Sequence, residues 1–205
     1  IADTATVERL FAEVPFDRVA NLAAESHVDR SIAAPDDFIR SNIVGTFRLL
    51  EAFRRHFPRR PGSLFLQVST DEVYGSVEEG FSRAGDPLDP RSPYSAAKAA
   101  GELLVRSYFV TYGLDVVITR GSNTYGPFQH PEKLIPLFVT NALDDQPLPL
   151  YGDGMQMRDW LYVADHAGAI DHVLRHGVAG EIYNVPGEAQ LPNREDRKST
   201  RLNSS

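Results

Sequence analysis

The sequence predicts an α/β protein built on a parallel sheet. Two observations carry that prediction. Helical and strand-like periods alternate along the chain, the pattern that stacks helices against parallel strands. Residues 64–68, Leu-Phe-Leu-Gln-Val, form a short apolar run bounded by Pro61-Gly62 and by Ser69-Thr70, which reads as a buried strand.

Taken in order, Asp3 is placed as an N-cap, and Val7, Leu10 and Phe11 give the following short helix its apolar face. Residues 18–22 are strand-like. A longer helix is expected from Pro35, whose fixed φ suits a first turn, with Ile39, Ile43, Leu50 and Phe53 recurring on one side. Phe38, Phe47 and Phe53 read as core or interface. After the strand at 64–68 comes a long polar loop, 75–93, rich in Gly, Pro and Asp; loops of that length usually carry function. Residues 94–112 read as helix, 115–119 as strand, 133–143 and 165–176 as helices, and 181–185 as a last strand. From residue 194 the apolar period vanishes, and residues 194–205 are expected to be a disordered or non-native tail.

Composition narrows the functional classes. The chain has 205 residues, 42% hydrophobic and 24% charged, an ordinary globular mix. A net charge of −7 argues against a nucleic-acid partner, whose binding rests on neutralising phosphates. The basic cluster Arg54, Arg55, Arg59 and Arg60 reads as a solvated helix end. No apolar run reaches the 18 or so residues of a membrane span, and no basic leader segment is visible. With no cysteine there is neither a disulfide nor a thiolate metal site, which fits a cytoplasmic location. His172 and His176 stand four apart but find no third ligand, so no metal is expected.

The chemistry concentrates in two segments. Tyr94-Ser-Ala-Ala-Lys98 opens a helix, and a spacing of four puts both side chains on one face. A free phenol titrates near about 10, and an adjacent ammonium favours its ionised form, making the pair a usable proton acceptor. Alone, such a pair is more often plain helix surface. Ser69-Thr70-Asp71-Glu72 leaves the end of the strand at 64–68, where an open α/β sheet binds its ligands. Two carboxylates in different surroundings divide acid and base roles. The same cluster also suits a turn or a helix cap.

Together these segments resemble the extended short-chain dehydrogenase/reductase superfamily and, within it, the dTDP-glucose 4,6-dehydratases. The resemblance also runs through residues 22–32, Arg120-Gly-Ser-Asn-Thr-Tyr-Gly-Pro127, Pro131-Glu-Lys-Leu-Ile-Pro136, Tyr151-Gly-Asp-Gly and Arg158-Asp-Trp-Leu-Tyr162, in the family's order over about nine-tenths of the chain. Related epimerases generally lack the Asp-Glu pair.

The resemblance implies a lyase of deoxysugar biosynthesis, the route to sugars such as dTDP-rhamnose, that uses NAD to convert dTDP-glucose to its 4-keto-6-deoxy product. The implied catalytic set is Thr70, Asp71, Glu72, Tyr94 and Lys98. Tyr94, helped by Lys98 and Thr70, takes the 4-hydroxyl proton, Glu72 the C5 proton, and Asp71 protonates the departing 6-hydroxyl. NAD would be lined by Ile1, Leu22, Ala23, Ala24, Glu25, Ser26, Ser41, Ser69, Tyr94, Lys98 and Thr124. The nucleotide-sugar would be held by Ser26, Thr70, Asn123, Lys133, Leu134, Pro149, Leu150, Tyr151, Arg158 and Asn193. Arg158 is physically apt, because a guanidinium suits bidentate contact with a diphosphate; the bland alternative is an ion pair with Asp153 or Asp159. The family is usually homodimeric.

The implied fold is a partial Rossmann-type doubly wound sheet over residues 1–122, followed by part of a smaller substrate domain over 123–193. The family's Gly-x-x-Gly-x-x-Gly phosphate loop does not occur in this sequence, so roughly 60 residues of N-terminal structure are expected to be missing. On that expectation the chain alone neither retains NAD nor turns over. Thr124 stands where most of the family has a second Asn. The competing expectations are a superfamily member acting on another nucleotide-sugar, such as a UDP-glucose 4,6-dehydratase or 4-epimerase, and a catalytically silent binding member.

Overall fold

The computed structural model describes residues 1–14, 16–57, 62–76, 80–149, 153–193 and 195. Leu150, Tyr151, Arg59, Arg60 and nearly all of the tail from 194 therefore lie outside the described residues. The chain forms two compact units, residues 1–121 with 169–184, and residues 122–168 with 185–205.

The first unit holds a sheet of four strands. β1 (Arg18–Asn21), β2 (Leu64–Thr70) and β3 (Val116–Gly121) run parallel, and β6 (Ile182–Val185) lies beside β3. Side chains alternate across it as the pleat requires. Phe65, Val116 and Ile118 meet Val7 and Phe11 of α1 (Thr4–Glu13), Leu50 and Phe53 of α4 (Thr46–His56), and Val105 and Tyr108 of α5 (Pro93–Tyr112). Leu64, Leu66 and Val117 meet Ile170 and Val173 of α7 (Val163–His176) on the opposite face. The sheet is thus covered on both faces, the doubly wound arrangement expected. Each of these fully withdrawn side chains stabilises the unit by about 1.5–3 kcal/mol before chain entropy is counted.

Local signals explain the element ends. Asp3 accepts the amide of Thr6 at 2.7 Å, as its N-cap placement anticipates. Ser92 and Ser95 cap α5 reciprocally, Pro93 opens its first turn, and Gly113 closes it at φ 66°. Before α4 the structure departs from expectation. Residues 28–33 form an unanticipated short helix, α2 (Val28–Ala33). The expected continuous helix from Pro35 is instead α3 (Asp36–Phe38), a π-helix (Ile39–Gly45) and then α4. The wider π turn breaks the 3.6-residue phase, so Ile39 is exposed at 44% while Leu50 and Phe53 are buried.

The second unit carries a three-stranded sheet in the order β4 (Asn123–Tyr125), β5 (Met157–Tyr162), β7 (Gln190–Pro192). β4 pairs parallel with β5, and β5 antiparallel with β7. α6 (Leu134–Leu143) follows Lys133, as expected. The three short strands have too little period to be read from sequence. Among the described residues no helix is long and apolar enough to cross a membrane, and no cluster of metal-ligating side chains occurs.

Candidate active site

The carboxyl end of β2 turns directly into a single 3-10 turn, Asp71–Tyr74. Thr70 initiates it: its hydroxyl oxygen accepts the Glu72 amide at 3.2 Å and lies 3.3 Å from the Asp71 carboxylate. Gly75 ends the turn at φ 80°, with the Asp89 carbonyl so close that a Cβ would stand 2.3 Å from it. Glycine is therefore required there twice over. Val73 and Tyr74 are buried beneath the turn, so both carboxylates are carried on a rigid base.

Tyr94 and Lys98 lie in the first turns of α5, whose contacts with β2 bring them to the same strand end. The Tyr94 ring meets Phe38 edge-on at 6.4 Å, and its hydroxyl shares a hydrogen bond with Thr70. Burial pushes the Tyr94 phenol up, the charges of Glu72 and Asp71 push it further, and the Thr70 bond works against them. The expectation of a phenol lowered by Lys98 is thus reversed in the free chain. The Lys98 ammonium donates to the Val68 carbonyl at 2.7 Å, and burial pushes its pKa down to about 8 despite the nearby Glu102. The structure thus brings together Thr70, Asp71, Glu72 and Tyr94, with Lys98 anchored beside them.

A buried amide network frames the segment after β1. Asn21 donates to Gln67 at 2.9 Å and accepts the Ala23 amide at 3.2 Å. Asn42, turned inward by the π-helix, accepts the Glu25 amide at 2.9 Å and donates to the Glu25 carbonyl at 3.0 Å. A Cβ on Gly101 of α5 would come within 3.1 Å of the Asn42 carbonyl, so the helix packs closely against this turn. Residues 22–26 are thereby fixed while remaining largely accessible, Leu22 at 58%. Ser41 lies in the same π-helix, and Ile1 packs against Gly45. Asn21, Asn42 and Gln67 were missed by sequence reasoning; the available signal was polar side chains inside apolar runs.

A second network holds the polar loop. Arg120 forms a buried ion pair with Glu102 at 2.6 Å and donates to the Tyr74 hydroxyl at 2.7 Å and the Ala84 carbonyl at 3.1 Å. Tyr74 in turn donates to Asn184 at 2.7 Å.

The donor set at the strand ends fits a dinucleotide. The Ser69 hydroxyl is buried without a partner among the described residues, and Lys98 has ammonium hydrogens beyond the one given to Val68. Ribose hydroxyls suit both.

In the second unit, Asn123 heads β4 and Arg158 lies in β5, half-buried, with no ion pair among the described residues. The bland alternative is not seen among the described residues: the Asp159 carboxylate accepts from Gly187, Ala189 and Ser122, that of Asp153 accepts the Met155 amide, and neither pairs with Arg158. Asn193 is buried at 6%, with its side-chain oxygen unpartnered among the described residues. Lys133 precedes Leu134 at the start of α6, and Pro149 is exposed. The Thr124 hydroxyl lies 2.7 Å from His166 Nδ1 and 3.3 Å from the Ser122 carbonyl, so it is engaged inside its own unit.

A parallel sheet covered on both faces, with a Tyr–Lys pair at its strand ends, is the arrangement of the extended short-chain dehydrogenase/reductases, and the acidic turn beside that pair is the feature this chain adds to it. The chain belongs to the family whose model is described as GDP-mannose 4,6 dehydratase, which matches residues 1–197. It is 51% identical over 203 residues to a dTDP-glucose 4,6-dehydratase of Neisseria meningitidis, with 95% of this chain and 57% of that protein covered. Against the same enzyme of Xanthomonas campestris it is 53% identical over 201 residues, covering 95% of this chain and 57% of the relative. A solved structure of the DesIV dTDP-glucose 4,6-dehydratase double mutant from Streptomyces venezuelae, with NAD bound, superposes at a TM-score of 0.91 and 48% identity, over 97% of this chain and 60% of that one. A Thermus thermophilus UDP-glucose 4-epimerase complexed with NAD superposes at 0.90 and 32% identity, over 99% and 67%. The chain spans a little over half the length of the curated relatives it matches.

Proposed function

We propose that the protein to which this chain belongs is an NAD-dependent dTDP-glucose 4,6-dehydratase, a hydro-lyase yielding the 4-keto-6-deoxy sugar. The observation that carries the reading is that one turn presents Thr70, Asp71 and Glu72 to the phenol of Tyr94. A tyrosine base alone suffices for oxidation and epimerisation; elimination of water needs an acid and a base as well.

NAD, when bound, would supply the hydride-accepting and hydride-donating chemistry that the conversion needs at C4 and C6. Tyr94, in its ionised form, accepts the 4-hydroxyl proton, with Thr70 orienting its oxygen. The resulting ketone acidifies the C5 hydrogen, which Glu72 removes. Asp71, protonated, gives its proton to the 6-oxygen, so the C6–O bond breaks and water leaves. Glu72 then returns its proton to C5, Tyr94 releases the O4 proton to solvent and Asp71 takes one back, so the residues are restored and no external reductant is consumed.

Ser69, Lys98, Ser41 and residues 22–26 hold the cofactor, with Ile1 nearby. Ser26 reaches the sugar as well. Asn123, Lys133, Leu134, Pro149, Leu150, Tyr151, Arg158 and Asn193 hold the nucleotide-sugar. The protein works in the cytoplasm as a homodimer. The pairing is supported by the exposed apolar residues of α5, Leu103 at 59% and Val110 at 77%.

The intact protein, incubated with dTDP-glucose, is expected to yield a product whose absorbance develops in alkali. No such product, together with turnover of UDP-glucose to its 4-epimer, overturns the reading.

A further inference from the structure

We propose that Asp159 is the positioning residue for nucleotide-sugar binding: its carboxylate clamps together the three chain segments that carry Asn123, Arg158 and Asn193. The proposal rests on the substrate reading above.

Asp159 lies in the middle of β5, next to Arg158. Its Oδ2 accepts the Ser122 hydroxyl at 2.8 Å and the Gly187 amide at 2.7 Å, while its Oδ1 accepts the Ala189 amide at 2.9 Å. Ser122 immediately precedes Asn123, and Ala189 immediately precedes β7, which ends next to Asn193. The donors stand 37 residues before Asp159 and 28 and 30 residues after it, so no local turn explains the constellation.

The surrounding backbone is equally tight. The Trp160 amide donates to the Ala189 carbonyl at 3.2 Å, and the Asn193 amide to the Gln156 carbonyl at 3.1 Å. A Cβ on Gly187 would come within 1.9 Å of the Trp160 carbonyl oxygen, so only glycine lets this segment reach Asp159.

Charge pairing is not what Asp159 provides. It forms no ion pair among the described residues, and successive strand residues point to opposite faces, so the Arg158 guanidinium is left for a ligand. Three donors on one carboxylate are charge-assisted bonds, stronger than neutral ones and directional. Removing them leaves each segment folded but free to shift, and a shift of about 1 Å is enough to degrade binding.

Asp159→Asn isolates this role. The amide keeps the shape but turns one acceptor into a donor, which then faces a backbone N–H. In the intact protein it is expected to raise KM for dTDP-glucose at least tenfold and weaken dTDP binding by calorimetry equally. The kcat is expected to stay within about threefold, and NAD affinity to be unchanged. Ser122→Ala removes one bond only and is expected to raise KM about threefold, keeping the test open should the first variant fail to fold. Combining the two should give less than the product of the separate effects, because they break one clamp. A lowered melting temperature with unchanged KM, or a fall in kcat alone, overturns the proposal. Wild-type protein inactive on dTDP-glucose would instead mark failure of the substrate reading.

Discussion

The Lys98 ammonium donates to the Val68 carbonyl at 2.7 Å, one residue before the serine whose hydroxyl has no partner among the described residues. The bond fastens α5 to β2 and so sets the depth at which Tyr94 meets Thr70. It also puts a cation where water is scarce, which lowers its pKa to about 8.

Lys98→Met is therefore expected to stabilise the cofactor-free protein at pH 7 while abolishing turnover. A lysine whose pKa falls from 10.5 to about 8 on folding costs roughly 3 kcal/mol below pH 8. The sign follows from proton binding: between pH 8 and 10.5 the unfolded chain holds the proton and the folded chain does not, so wild-type stability rises across that window. The Val68 carbonyl keeps a partner in the variant, the Gln67 side-chain amide at 3.1 Å. Denaturant melts at pH 7 and pH 10 should show the gap between the two proteins closing; a gap independent of pH would defeat the account.

Glu72→Gln separates two of the turn's effects. Dehydration is expected to fall at least 1,000-fold, while oxidation at C4 stays visible as a single-turnover rise in NADH absorbance. Losing the negative charge also lowers the Tyr94 phenol, since Glu72 is the largest charge holding it up. The alkaline rise of the oxidation step should therefore move to lower pH. An unmoved profile would disprove the electrostatic coupling.

Thr70→Val is predicted to act in the opposite sense on the same group. Its hydroxyl is the one contact that lowers the phenol, so removing it drives the oxidation profile to higher pH and cuts the rate at pH 7 by about 10- to 100-fold. Serine at this position should restore most of the loss; valine and serine behaving alike would sink the assignment.

Asn42→Leu is expected to weaken NAD binding about tenfold without touching any residue of the catalytic turn. Both of its amide bonds go to the main chain of Glu25, and an unsatisfied buried backbone pair costs about 1–3 kcal/mol. Calorimetry with NAD on the intact protein reads this directly.

Glu102→Gln should be the most destabilising of these changes. It leaves the Arg120 guanidinium, 3% exposed, without its counter-charge. A buried pair broken from one side loses about 3–5 kcal/mol. The denaturation midpoint should fall accordingly, and the polar loop held through Tyr74 and Ala84 should become sensitive to proteolysis.

How far the residues spoke for themselves varied with their physics. The helix at 94–112 was legible to within a residue, because a serine cap, a proline and a closing glycine mark its ends. β2 was legible as a core but not in length: Ser69 and Thr70 continue the ladder with β3, which only the neighbouring strand can reveal. The π-helix was invisible, since a helical apolar period runs through it until Asn42 is seen turned toward Glu25. β4 and β7, three residues each, carry no period at all.

The sequence by itself determined the α/β class, the pairing of Tyr94 with Lys98 on one helical turn, and the resemblance through Asp71 and Glu72. Each depends on local spacing or residue identity, and those survive without coordinates. Only the tertiary structure decided that Glu72 and Asp71 hold the Tyr94 phenol up, that Lys98 spends a hydrogen on Val68, and that the Asp159 carboxylate takes donors from Ser122, Gly187 and Ala189 instead of pairing with Arg158. Those are matters of burial and of contacts between residues far apart in the chain, and the free energies of charge and hydrogen bonding are set by such surroundings rather than by order along the polymer.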